Sequence, residues 1–127
     1  MLKLLMLVSG VIEVLFGLSA LVAPLAVIEA VGGKGGAVQL PTLALVSLLG
    51  AATLGLGVGA LYGRSHLDTP GGMAAAYGLG LYNVVGAGVL FLFAKSDASD
   101  PGLWAGAVLH IVIGLLFIYA FATRKSG

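Results

Sequence analysis

Three polar side chains interrupt the long apolar stretches of this sequence, and their types could carry proton chemistry. Glu13 lies within LLMLVSGVIEVLFGLSALVA, Asn83 within GLGLYNVVGAG and His110 within LHIVIGLLFIYAFA. Ionisable residues at membrane depth are rare and usually face a bundle interior, a partner or water. A carboxyl and an imidazole in contact can share a proton, and the amide of Asn83 can donate to or accept from either group.

Two interpretations of this set remain open. Glu13, Asn83 and His110 could form a proton-exchanging or ligand-binding site, with Tyr82 and Thr53 as additional members. Alternatively, they could form a polar clamp in which the side chains satisfy one another and fix the register of the helices. Both interpretations require the three residues to lie at one depth in a helical bundle.

The composition assigns the chain to the membrane proteins. Of its 127 residues, 60% are hydrophobic and only 9% are charged, and the mean hydropathy is +1.14. A soluble domain needs more charge to cover its surface. The lack of cysteine excludes disulfides, iron–sulfur clusters and thiol nucleophiles, and two histidines are too few for a protein-ligated metal site. Scattered basic residues and a net charge of +1 give no reason to expect nucleic acid as a partner.

Four apolar runs are each long enough to cross a bilayer, which takes about 20 helical residues. They cover approximately 2–23, 41–63, 72–94 and 103–123. The first run opens like a signal peptide, but Glu13 interrupts it, Leu21 stands where a cleavage site needs a small residue, and Pro24 would follow the cut. We therefore predict an all-α, antiparallel four-helix transmembrane bundle that forms a single domain over 1–127. At a rise of ~1.5 Å per residue, Glu13, Asn83 and His110 would all lie near the bilayer centre.

Many of the 21 glycines lie inside the predicted spans, where small residues let helix backbones approach closely. The glycines that we expect at packed helix faces are Gly10, Gly17, Gly55, Gly59, Gly63, Gly80, Gly106 and Gly114. They would serve either packing within the bundle or self-association, the latter through the second span, where Gly55, Gly59 and Gly63 recur at four-residue steps.

The basic residues are unevenly divided between the two ends of the predicted bundle. Lys3, Arg64, Arg124 and Lys125 fall on one side, and Lys34 and Lys95 on the other. Because cytoplasmic loops are enriched in Lys and Arg, we expect both termini in the cytoplasm and the protein in the inner membrane.

Several stretches carry a family resemblance. Three segments carry it: a first helix that contains several glycines and ends at Pro24, the second span GAATLGLGVGALYGR and the last span LHIVIGLLFIYAFA. Together they resemble small bacterial membrane proteins of the DoxX-like kind. The resemblance implies a membrane subunit associated with quinone-linked oxidation for some members. It transfers no catalytic residue to this chain, and the absence of cysteine argues against a thiol-based redox role.

Two functions are consistent with these observations. The first is an accessory or structural subunit that packs through its Gly/Ala-rich helix faces in a homo-oligomer or a larger membrane complex, in contact with lipid. The second is a carrier or intramembrane enzyme for a small lipophilic compound, such as a quinone or terpenoid, with Glu13 and His110 as proton donor and acceptor. The sequence contains no recognisable catalytic set, and we expect no cofactor. The alternative expectation is a bound quinone, or a pigment ligated by His110.

Overall fold

The protein folds as five α-helices in a computed structural model that describes residues 1–31, 37–96 and 101–124. The helices are α1 (Leu2–Val22), α2 (Pro24–Ala30), α3 (Leu40–Gly63), α4 (Pro70–Ser96) and α5 (Pro101–Ala122). All regular secondary structure in these ranges is helical. The predicted all-α class is therefore confirmed.

Four of the helices, α1, α3, α4 and α5, are long and apolar enough to cross a membrane. They contain 21, 24, 27 and 22 residues, and the most apolar 18-residue window of each has a mean hydropathy between 1.6 and 2.3. Only 22 to 39% of each window is buried inside the protein. Most of the apolar surface thus faces outward, as a lipid-embedded bundle requires. The four predicted spans are confirmed with shifts of at most two residues at their ends.

All four prolines lie in the first turn of a helix. Pro24, Pro70 and Pro101 are the first residues of α2, α4 and α5, and Pro41 is the second residue of α3. The missing N–H of proline costs little at this position, because the first helical N–H groups have no intrahelical acceptor. Ala23, with φ −137° and ψ 61°, separates α1 from the short α2. The chain therefore continues past the first span as a separate short helix.

The bundle consists of two closely packed helix pairs. α1 packs mainly on α3 and α4 mainly on α5, all antiparallel to their partners, while α3 and α4 join the pairs. The largest hydrophobic cluster lies towards the end of the bundle that holds the start of α1 and the end of α5. It includes Met6, Leu79 and Phe117, whose side chains are fully buried.

The connection between α3 and α4 is a tight turn over residues 64–69. Thr69 caps α4, because its Oγ1 accepts a hydrogen bond from the Gly72 backbone N–H (3.1 Å). The same hydroxyl donates to the His66 carbonyl oxygen (2.8 Å). A Cβ on Gly72 would collide with that carbonyl, so the turn requires glycine there. This connection places the first turn of α4 next to the last turn of α3.

Candidate polar site within the bundle

Two glycine pairs set the register between α1 and α3. A Cβ on Gly17 would lie 2.6 Å from the Leu54 backbone nitrogen and 2.7 Å from the Gly50 carbonyl oxygen. A Cβ on Gly57 would lie 2.7 Å from the Gly10 carbonyl oxygen. The backbones of α1 and α3 therefore touch directly at Gly10–Gly57 and Gly17–Gly50, with a spacing of seven residues along each helix.

The predicted packing glycines of α3 occupy different surroundings. Gly63 packs against α4, where its Cβ would lie 2.8 Å from the Cβ of Ala75. Gly55 and Gly59 have no atom within 4 Å of an added Cβ, so they pack against nothing in the described chain. The residues that α3 presents to α1 are Gly50 and Gly57, which the four-residue pattern did not single out.

Glycines also line the contact between α4 and α5. Gly80 faces Phe117 and Phe121, with a Cβ position 3.0 Å from Phe121. Gly114 faces Val84 (3.3 Å) and Gly106 faces Leu90 (3.3 Å). The three glycines predicted for these two helices thus all lie where α4 and α5 meet.

The glycine contacts place the polar residues in one layer about one helical turn thick. Glu13 lies between Gly10 and Gly17 on α1, and Thr53 lies between Gly50 and Gly57 on α3, so the two residues are at the same level. On the other side, Asn83 contacts Ser9, which is four residues, or ~6 Å, before Glu13. His110 packs on Gly86, three residues after Asn83.

Asn83 connects α4 to α1 through its side-chain amide. Its Nδ2 donates to the Leu79 carbonyl oxygen (2.9 Å) and to Ser9 Oγ (3.4 Å). Its Oδ1 is buried and has no hydrogen-bond partner. Ser9 is a member of the site that the sequence reasoning missed. The sequence feature that could have identified Ser9 is its four-residue spacing to Glu13, which puts both side chains on one face of α1.

Glu13 is buried, with 4% of its surface exposed, and its carboxyl group makes no hydrogen bond or ion pair within the described ranges. Thr53 lies at the same level but donates to the carbonyl oxygens of Leu49 (3.0 Å) and Gly50 (3.1 Å) on its own helix. The hydroxyl hydrogen of Thr53 is therefore used in hydrogen bonds to the backbone of α3.

His110 lies on α5, and its side chain packs against α4. Its Nδ1 lies 3.1 Å from the Cβ position of Gly86, and its ring meets the Tyr82 ring edge to face, with centroids 5.3 Å apart at 72°. Nδ1 is buried without a hydrogen-bond partner. A side chain at position 86 would press on the imidazole, so glycine there favours this placement of His110.

Within the described ranges, the layer therefore carries three polar groups without a hydrogen-bond partner, on three helices: the Glu13 carboxyl, Asn83 Oδ1 and His110 Nδ1. No hydrogen bond or ion pair joins Glu13 to His110 in the described part of the chain. Among the described residues, no group of three His, Asp or Glu side chains could hold a metal ion. The arrangement offers proton-accepting and hydrogen-bonding groups in an apolar setting.

Some predicted features fall outside the described residues. Lys34 and Lys125, two of the six basic residues counted in the sequence, belong to this group. Of the remaining basic residues, Lys3, Arg64 and Arg124 lie at one end of the bundle and Lys95 at the other.

The chain matches no family model, no curated protein and no solved structure. The DoxX-like resemblance is thus supported only at the level of four long apolar helices. The chain is a small polytopic membrane protein.

Proposed function

We propose that the protein is a structural membrane subunit that assembles with a second copy of itself through the outer face of α3. The observation that supports this proposal is the pair of glycines with open space above them. Gly55 and Gly59 have no atom within 4 Å of an added Cβ. Ala51, one turn before Gly55, is also exposed and continues the same line.

The physical argument concerns how helices associate in lipid. Lipid tails are as apolar as leucine side chains, so association depends on close packing of backbones, which small residues at four-residue steps allow. Glycine inside a helix also has a lower helix propensity than alanine, by about 1 kcal/mol. Gly55 and Gly59 lie in one line and contact no other helix of the described chain, so they form a shallow groove. The α3 helix of a second copy can pack its backbone closely into this groove.

The experiment compares self-association of variants in lipid bilayers at controlled protein-to-lipid ratios. Gly55→Leu and Gly59→Leu fill the groove, and we expect each to weaken dimerisation at least tenfold, measured by energy transfer between labelled copies. Gly88→Leu on α4 is the matched control, because Gly88 also has open space above its Cβ position. A wild-type protein that stays monomeric at every ratio, or equal effects of all three variants, contradicts the proposal.

A second candidate function is a carrier or intramembrane enzyme for a small lipophilic compound of quinone or terpenoid type. It is favoured by Asn83 Oδ1 and His110 Nδ1, which are buried without a hydrogen-bond partner, and by the buried Glu13 carboxyl at the same level, which pairs with no described residue. In this function, Glu13 and His110 are the proton donor and acceptor, since general acid–base groups work best when positioned in a water-poor site.

The sole tryptophan, Trp104 on α5, provides a probe for this second function. A short-chain quinone that binds in the layer should quench its fluorescence to a saturating level, and His110→Ala should weaken that binding at least tenfold. Quenching that rises linearly with quinone, as membrane partitioning produces, or that His110→Ala leaves unchanged, contradicts it.

For the orientation in the membrane, we infer that both termini are cytoplasmic. Three of the described basic residues, Lys3, Arg64 and Arg124, lie at the end of the bundle that holds the start of α1 and the end of α5, and only Lys95 lies at the other. The excess of Lys and Arg on cytoplasmic loops supports this orientation.

A further inference from the structure

A groove with two cationic side chains lies at the end of the bundle where α1 starts and α5 ends. Its volume is about 370 Å³, and Lys3, Leu67 and Arg124 contribute to its walls. Leu2 and Ala120 form apolar parts of the same groove. Since both helices begin or end here, the groove is at the level where a bilayer places its phosphate groups.

Arg124 is held in position by the turn between α3 and α4. Its Nη2 donates to the Leu67 carbonyl oxygen (2.7 Å), and its Nη1 contacts Met73 Sδ. A guanidinium group has five N–H donors in a planar fork, so these two contacts leave donors available for a ligand. The fixed fork suits the bidentate binding of a phosphate group.

The second cation, Lys3, projects from the first turn of α1 and is exposed. Neither Lys3 nor Arg124 forms an ion pair with a carboxylate in the described ranges. Asp68 lies in the same turn as Leu67 and is exposed, but it is paired with neither cation. Among the described residues, the two cations of the groove therefore lie beside apolar walls without a paired carboxylate.

We propose that this groove binds the headgroup of an anionic phospholipid. Arg124 takes the phosphate by its planar fork, and Lys3 adds the second positive charge. The apolar surface below the groove receives the acyl chains, since Leu4 and Val8 are exposed on α1. Basic pockets between transmembrane helices at the cytoplasmic surface suit anionic headgroups. A free phosphate ion would use the two cations but not the apolar walls.

The test counts bound lipids on the purified full chain by native mass spectrometry. The probes are phosphatidylglycerol and phosphatidylcholine with identical acyl chains, so that they differ in headgroup charge. We expect preferential binding of phosphatidylglycerol, weakened about fivefold by Lys3→Gln and by Arg124→Gln. Lys95→Gln, at the opposite end of the bundle, is the matched control and should leave the preference unchanged. Arg124→Lys keeps the charge but loses the fork, and should give an intermediate affinity.

Three outcomes would overturn the proposal. The first is equal binding of the two lipids, and the second is a loss with Lys95→Gln as large as with Lys3→Gln. The third is displacement of phosphatidylglycerol by an equal concentration of soluble glycerol phosphate, which would assign the groove to a free phosphate compound. All of the substituted side chains are exposed, so the variants should fold like the wild type.

Discussion

Gly17 of α1 and Gly50 of α3 lie in direct backbone contact, with no room for a side chain between them. A Cβ on Gly50 would lie 2.9 Å from the Gly17 carbonyl oxygen, and a Cβ on Gly17 would lie 2.7 Å from the Gly50 carbonyl oxygen. Together with the Gly10–Gly57 contact, this contact fixes the register of α1 relative to α3. It thereby sets Glu13 opposite Thr53.

We predict that Gly17→Ala destabilises the bundle by about 1–3 kcal/mol, because the added methyl group meets backbone atoms that cannot rotate away. The free energy of unfolding can be measured in detergent micelles titrated with a denaturing detergent. Gly88→Ala is the control, since nothing lies within 4 Å of its Cβ position. It should be neutral or slightly stabilising, because alanine is the better helix former. Equal stability of the two variants would contradict the observed contact.

The contact between Asn83 and Ser9 should contribute little to stability. Its length of 3.4 Å is at the limit of hydrogen bonding, and Asn83 Nδ2 has a closer acceptor in Leu79 at 2.9 Å. A double-mutant cycle with Ser9→Ala and Asn83→Leu should give a coupling energy of about 0.6 kcal/mol or less. A coupling above ~1.7 kcal/mol would mean that this bond is a principal link between α1 and α4.

Glu13→Gln should leave the free energy of unfolding within about 0.5 kcal/mol of the wild type, because no described residue forms a hydrogen bond or ion pair with the carboxyl group. Combined with His110→Ala, it should show no coupling beyond that value. The same unfolding titration measures both quantities. A loss above ~2 kcal/mol for Glu13→Gln, or a strong coupling to His110, would support the polar clamp and remove the main support for a ligand site.

The helices could be predicted from the sequence because hydropathy and proline are local signals. Each span is a run of apolar residues, and Pro41 and Pro101 lie in first helical turns, where their missing N–H is harmless. The contact faces of α3 could not be predicted in the same way. This helix carries small residues on several sides, so Gly50 and Gly57 are not distinguished from Gly55 and Gly59 by periodicity.

The candidate site was predictable in part for the same reason. Glu13, Asn83 and His110 stand out because a polar residue in an apolar span is conspicuous. Ser9 does not, because serine is common in membrane helices and hydrogen-bonds its own backbone there. The partners of each side chain depend on helix rotation and register, which are properties of a pair of helices.

The sequence by itself therefore determined the class, the four spans and the polar residues at mid-depth, since these follow from how each segment partitions between water and lipid. Only the tertiary structure decided which glycines touch and which remain open. It also decided that Glu13, Asn83 Oδ1 and His110 Nδ1 stay unpaired within the described chain, and that Arg124 meets Leu67 beside Lys3. These relationships depend on close packing between residues far apart in the chain, which no single helix encodes.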